Sequence, residues 1–408
     1  MIESLKDDTI RRLDPAVDLD FTVDLAAITV STKTAARAYE LARAYRCHGV
    51  KVVLGGIHPT ALPEEALLHS DAVVVGEAEG LWPTVIDDLK QGRLQRLYRH
   101  SALPAFHQPP RPKWNIFRSR RYVPVHMVQA SRGCPFSCEF CSVTPFFGHD
   151  LRLREVNHLV EEIAQLDGRW LMFADDNVLG RPDHARQLFR ALIPLKLTWF
   201  GQASLHGLHN PENLELMAAS GCKGLFVGFE SLNPKSLAGC NKAQNDPRHY
   251  LEIVQRLHDH GIAVWASFVF GLDDDTPDIF ARTVEFAIKA RVFMALFAIL
   301  TPYPGTRLYQ RLQQERRLLD ETWWLRARRD DFPLYTPRHM PVEQLYQGWQ
   351  GAWKEFYRTS TILRRFCRSP ITSFFSLMSF LPLNFHQQRL TTHKILGGQK
   401  LFLRDRLG

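Results

Sequence analysis

The chain has 408 residues, 45% hydrophobic and 23% charged. That is enough to bury full cores in two or three domains, and it excludes a compositionally disordered protein. Its 51 basic and 43 acidic residues leave a net charge of +8, spread along the chain without a basic arm or a nucleic-acid-binding motif, so no nucleic-acid partner is expected.

The N-terminus, Met-Ile-Glu-Ser-Leu-Lys-Asp-Asp, is too polar and acidic for a secretory signal. No apolar run reaches the ~20 residues of a membrane span. The seven cysteines are scattered except at 134, 138 and 141. That is no disulfide framework, and a reducing, cytoplasmic location is expected, where thiols are available as metal ligands.

Residues 25–98 alternate strand and helix. Strands are expected at 25–32, 50–54 and 71–75. Helices are expected at 33–47, 63–70 and 81–89. Such alternation implies a parallel sheet. The edge strand at 25–32 would need cover, which residues 2–13 are expected to give. A Pro-rich linker at 99–121 carries Pro104, Pro109, Pro110 and Pro112.

From 122 to 317 the alternation resumes in six units. Strands are expected near 124–130, 170–174, 198–203, 224–229, 263–270 and 295–300. The clearest helices are at 156–166 and 276–290, so a partial (β/α)6 barrel is expected. Residues 318–408 lose the alternation and read as mostly helical, with an amphipathic helix at 340–357. The apolar stretch 371–383 reads ordinarily as a buried helix. The alternative is peripheral membrane contact, with Arg364, Arg365 and Arg368 meeting lipid headgroups.

Ser131-Arg132-Gly133-Cys134-Pro135-Phe136-Ser137-Cys138-Glu139-Phe140-Cys141 follows the first barrel strand. Three thiolates spaced C-x3-C-x2-C on a short loop can hold three irons of a [4Fe–4S] cluster and leave the fourth open. Structural zinc is the weaker reading, with His149 the nearest further ligand. Ser142 replaces the histidine that c-type haem attachment requires. Cys138 and Cys141 alone would make a redox pair, a reading that leaves Cys134 unexplained.

Functional side chains in such barrels gather at the C-terminal strand ends. Here those ends carry Asp175, Asp176 and Asn177, then Gln202 and Ser204, then Glu230 and Ser231. Ser267, Gly271 and Asp273 follow, and Thr301-Pro302-Tyr303-Pro304-Gly305 comes last. The plain reading of Asp176, Ser231 and Asp273 is as helix N-caps.

The cysteine spacing, with aromatic Phe140 before the last cysteine, resembles the radical S-adenosylmethionine (SAM) superfamily. The resemblance implies that the open iron binds SAM and that one electron from a low-potential donor generates a 5′-deoxyadenosyl radical. It further implies that Asp175, Asp176, Asn177 and Glu230 hold SAM and that Gly271 and the Thr301 turn meet its adenine end. Gln202 and Ser267 complete that set.

Residues 25–98 resemble the cobalamin-binding domain that precedes the barrel in B12-dependent members, a Rossmann-like, flavodoxin-like fold. The carrying segments are Ile28-Thr29-Val30-Ser31-Thr32, Val53-Leu54-Gly55-Gly56-Ile57-His58-Pro59-Thr60 and Val73-Val74-Val75-Gly76-Glu77-Ala78-Glu79. Ser31, Gly55 and Gly56 are the candidate cobalamin-contacting positions. The domain departs from the pattern because residues 1–24 lack the Asp-x-His-x-x-Gly motif. It therefore reads as truncated over 1–98, either by a start downstream of the natural one or by loss of its first units. His58 reads as a structural histidine.

The likeness spans about 25–360 and is nearest the branch with hopanoid C-methylases and bacteriochlorophyll-pathway enzymes. It implies cobalamin-dependent C-methylation of an unactivated carbon in a small-molecule substrate, often large and hydrophobic. The alternatives are a cobalamin-independent radical rearrangement or cyclisation, and a non-catalytic Fe–S electron carrier or redox sensor.

Overall fold

In a computed structural model of the chain, residues 2–4, 19–114, 125–326, 332–367 and 378–392 are described. Part of the edge-covering segment (5–13), part of the linker (115–121), and the stretch 371–377 with Arg368 lie outside them. The chain divides into two compact units: residues 1–105, 139–150 and 301–335 form one, and residues 106–138, 151–300 and 336–408 the other.

The first unit is built on a five-stranded parallel sheet in sequential order: β1 (Ile2–Ser4), β2 (Leu25–Thr29), β3 (Lys51–Gly55), β4 (Ala72–Val75) and β5 (Leu97–Arg99). β1 pairs with β2, Ile2 opposite Ala27, so the edge that needed cover is covered. β2 stops short of residue 32 because Thr32–Thr34 turn into a 3-10 helix, braced by Ser31 and Thr34 hydroxyls 3.0 Å apart.

Side chains alternate between the faces with the strand period of two. Ile28, Val52, Leu54, Val73 and Val75 pack with Ala38, Leu41 and Ala42 of the helix Ala35–Cys47 and with Trp323 and Trp324. On the opposite face Val53, Ala72 and Val74 meet Val85 and Tyr98. All four β4 residues are therefore buried, as in a strand covered on both sides. Gly56 has φ +98°, and a Cβ there would lie 3.0 Å from the Val30 carbonyl oxygen. Only glycine allows this backbone to close against the end of β2.

In the second unit β6 (His126–Val128) leads into a small antiparallel hairpin, β7 (Ser131–Arg132) with β8 (Arg152–Leu153). Then follow β9 (Trp170–Phe173), β10 (Thr198–Ala203), β11 (Cys222–Glu230), β12 (Ala263–Phe270) and β13 (Met294–Ile299). Their sheet is parallel throughout, ordered β13-β12-β11-β10-β9-β6, the partial (β/α)6 arrangement expected. β6 is shorter than its apolar run because Ala130 leaves the ladder. Its N–H goes to Asp175 and its carbonyl accepts from the Arg154 N–H.

One face of this sheet is covered by helices. Trp199 stacks on Phe189 of the helix Pro182–Leu192, and the Trp349 and Trp353 indoles of the helix Val342–Phe356 donate to the Phe297 carbonyl. The opposite face leaves Met127, Met172, Trp265 and Leu296 exposed. Among the described residues no helix is long and apolar enough to cross a membrane.

Candidate active site

The cysteine loop begins where the chain leaves β6, and its base rests on Asp175. That carboxylate accepts the Ala130 N–H at 2.9 Å and the Ser131 hydroxyl at 2.5 Å. Burial lifts its acid to about 6 against the pull of those bonds. With both oxygens engaged this way, Asp175 acts as a brace under the loop. Arg132 stiffens the same turn, its Nε on Gln129 Oε1 at 3.0 Å and its guanidinium 4.4 Å from the Phe106 ring centre.

Cys134 and Cys138 are part-buried free thiols. Burial pushes both above the ordinary thiol range. Around Cys134 the Cys138 and Asp176 charges add to that push, and around both cysteines Lys242 opposes it.

Glu230 ends β11 with a left-handed φ of +64°, rare for a residue with a side chain. The turn places its carboxylate 2.5 Å from Lys242 Nζ, in a pair with 9% and 12% side-chain exposure. Burial opposes the lysine's charge, but Glu230 and Cys138 outweigh it and hold the ammonium above the usual lysine range. A Cβ on Gly228 would fall 2.3 Å from Glu230 Oε1 and 3.1 Å from Nζ, so the pair sits against bare backbone.

The remaining strand-end residues are placed as follows. Asn177 ties two strand ends together, donating to Ser204 Oγ at 3.0 Å and accepting the Ser204 N–H at 3.1 Å. Gln202 donates to the Asp176 carbonyl at 3.0 Å. Burial lifts the Asp176 acid to about 6. Ser267 is buried on β12, in register with Gly228. Gly271 and Leu272 donate their N–H groups to Asp275 Oδ2, each at 3.1 Å, and Ser236 donates to Oδ1 at 2.7 Å.

Asp275, which the strand-end reading passed over, thus organises that corner; the sequence offers only an acid four residues after the strand-end glycine. None of Asp176, Ser231 and Asp273 caps a helix. The junctions are longer than one residue, and Arg181, Asn233 and Asp278 occupy the cap positions instead.

Phe140, Cys141, Thr301, Ser31, Gly55 and Gly56 lie in the first unit. There Glu139, within the cysteine motif, is held by the helix Arg307–Gln314. Its carbonyl accepts the Leu308 N–H at 3.0 Å, and its carboxylate takes the Arg311 guanidinium. His58 is fully buried, with Nε2 3.1 Å from both Tyr39 Oη and Glu65 Oε1. Trp324 Nε1 donates to the same carboxylate at 3.1 Å.

Residues 128–287 match the radical SAM superfamily model and residues 15–86 the B12-binding-domain model, while residues 306–375 match a domain of unknown function. The chain is 31% identical over 371 residues to bacteriochlorophyllide d C-12(1)-methyltransferase of Chlorobaculum tepidum, covering 88% of this chain and 80% of that protein.

This chain belongs to the B12-binding-domain radical SAM enzymes. The same organism's bacteriochlorophyllide d C-8(2)-methyltransferase is also 31% identical, over 75% of this chain and 72% of the relative. The fold resembles that of the cobalamin-dependent SAM radical enzyme OxsB with aqua-cobalamin bound, with a TM-score of 0.65 and 13% identity. That match covers 94% of this chain and 67% of the other.

A radical SAM enzyme of this class works with a [4Fe–4S] cluster, SAM and cobalamin. The cysteine loop fits the first chemically: Cys134, Cys138 and Cys141 are in no disulfide, and a buried amide nitrogen of Gln244, beside Cys138, has no protein acceptor in hydrogen-bonding geometry. Among the described residues no three His, Cys, Asp or Glu side chains converge to hold one ion. Thiolates that each take a different iron need not converge. In the B12-binding domain, Gly76 (φ +79°) would meet nothing within 4 Å of a Cβ, and Ser31 is exposed, leaving room at the strand ends.

Proposed function

We propose that this enzyme methylates an unactivated carbon of a large, largely apolar small molecule. Cys134, Cys138 and Cys141 would hold the cluster, and Asp176, Gln202 and Glu230 would face SAM. Ser31, Gly55 and Gly76 would face cobalamin. When bound, these groups supply radical hydrogen abstraction and methyl transfer.

The chain's own residues hold and orient. Asp175 fixes the take-off of the cysteine loop, Asn177 joins neighbouring strand ends, and Asp275 fixes the turn after β12. Glu230, held by one lysine, keeps further lone pairs for an ammonium or ribose hydroxyl.

The observation that carries this reading is the cysteine loop seated on Asp175 at the end of the first strand of a six-stranded parallel sheet. The apolar substrate is supported by Met127, Met172, Trp265 and Leu296, exposed across one sheet face. Both Chlorobaculum relatives are named for a bacteriochlorophyllide substrate.

Anaerobically reconstituted protein given SAM and a low-potential reductant should form 5′-deoxyadenosine. It should also keep a cobalamin spectrum through gel filtration after incubation with hydroxocobalamin. A protein that holds iron but forms no 5′-deoxyadenosine would be an electron carrier. Retention of iron by Cys138→Ala at the wild-type level would remove the ligand assignment.

A further inference from the structure

Segment 241–245 follows the helix Pro234–Gly239 and closes over the cysteine loop at several points. Asn241, in a left-handed turn with φ +56°, donates its amide to the Ser137 carbonyl at 2.9 Å and lies 2.8 Å from the Ser137 hydroxyl. Lys242 sits in its buried pair with Glu230. Asn245 anchors the far end of the segment, donating to the Gly228 carbonyl at 2.9 Å and the Phe229 carbonyl at 3.1 Å.

Between these anchors stands Gln244. Its Nε2 is shut off from solvent, yet no protein acceptor lies in hydrogen-bonding geometry. Leaving a buried donor unmade costs about 1–3 kcal/mol, so such a group calls for a partner. The side chain lies against the Cys138 thiol. A thiolate or cluster sulfur is the acceptor this position suits.

We infer that segment 241–245 is an outer layer of the cluster site, in which the Gln244 amide donates to sulfur at Cys138 and raises the cluster's reduction potential. The inference rests on the reading that Cys138 ligates the cluster. Reduction adds one electron from the low-potential donor and makes the cluster more negative. An N–H donor to sulfur favours that reduced state, and hydrogen bonds to the sulfurs are among the determinants of such potentials. Burial makes this effect stronger than it would be in water.

The test is a redox titration of the full-length, anaerobically reconstituted protein, followed by the spectrum of the reduced cluster. Gln244→Leu and Gln244→Met remove the donor at similar volume. Each is expected to retain wild-type iron and to lower the reduced-to-oxidised ratio at fixed potential by about tenfold, which for a one-electron couple is about 59 mV. Wild-type iron with a wild-type potential in both would overturn the inference. Loss of iron from both would also overturn it, because Gln244 would then be a support of the loop. A wild-type protein that takes up no cluster would fail the ligand reading itself.

Discussion

Glu139 and Arg311 meet as a two-pronged ion pair. Arg311 Nε lies 2.5 Å from Oε1 and Nη2 lies 2.9 Å from Oε2. Glu139 stands between Cys138 and Cys141, so the helix Arg307–Gln314 grips the motif in its middle, by the carboxylate and by the Leu308 N–H on the Glu139 carbonyl.

Arg311→Ala should loosen that grip without removing a thiol. A charge-assisted, part-buried pair of this geometry contributes on the order of 1–2 kcal/mol. Iron loss to a chelator should therefore quicken by roughly five- to thirty-fold. Arg311→Lys, which keeps charge but not the planar fork, should fall between. A wild-type release rate in Arg311→Ala would remove the pair from the account of the site.

Asp275 sets a pH dependence. Burial lifts its acid to about 6, against about 3.9 in an unfolded chain, so between those values the folded state binds the extra proton. Its contribution to stability is full below about pH 4 and is lost as the pH rises through 6. Asp275→Asn can keep the bonds, its oxygen toward Gly271 and Leu272 and its amide toward Ser236. In that window the wild-type's advantage over the variant should shrink by up to about 1.4 kcal/mol per pH unit, measured by urea denaturation. A pH-independent difference would contradict the assignment.

Arg365 is 2% exposed. It donates to the carbonyls of Val292, Phe293 and Phe356 and, at 2.9 Å, to Asn384 Oδ1. Burial draws its guanidinium down to about 10. Arg365→Met would leave several buried acceptors unmet, at a cost of about 3 kcal/mol or more. Lower denaturant tolerance is expected, together with faster proteolysis of the helix Thr359–Cys367 and of residues 378–392. Equal stability of variant and wild type would show that the apolar side chain compensates.

His58 is committed to Tyr39 and Glu65 and has no exposed surface. His58→Phe should destabilise the first unit by about 1–3 kcal/mol. It should leave the paramagnetic spectrum of any bound cob(II)alamin unchanged. A change in that spectrum confined to the cobalt's axial nitrogen would make His58 a ligand after all.

The cysteine loop, both parallel sheets and the six helices expected at 33–47, 63–70, 81–89, 156–166, 276–290 and 340–357 were legible in the sequence. Each rests on local order: C-x3-C-x2-C is a spacing, and strand and helix announce themselves by the period of their apolar residues. The paired edge of β2 could also be anticipated, because an unpaired strand needs cover. What the sequence alone could not divide was Asp175 from Asp176, since identical side chains differ only in what surrounds them. Tertiary structure alone decided that Asp175 spends both oxygens on the loop base. It alone showed that Asp275 governs the turn at Gly271, and that Arg311 reaches Glu139 from a helix far along the chain. Those relations are fixed by burial, which requires each enclosed polar group to find its partner, and such partners can lie anywhere in the sequence.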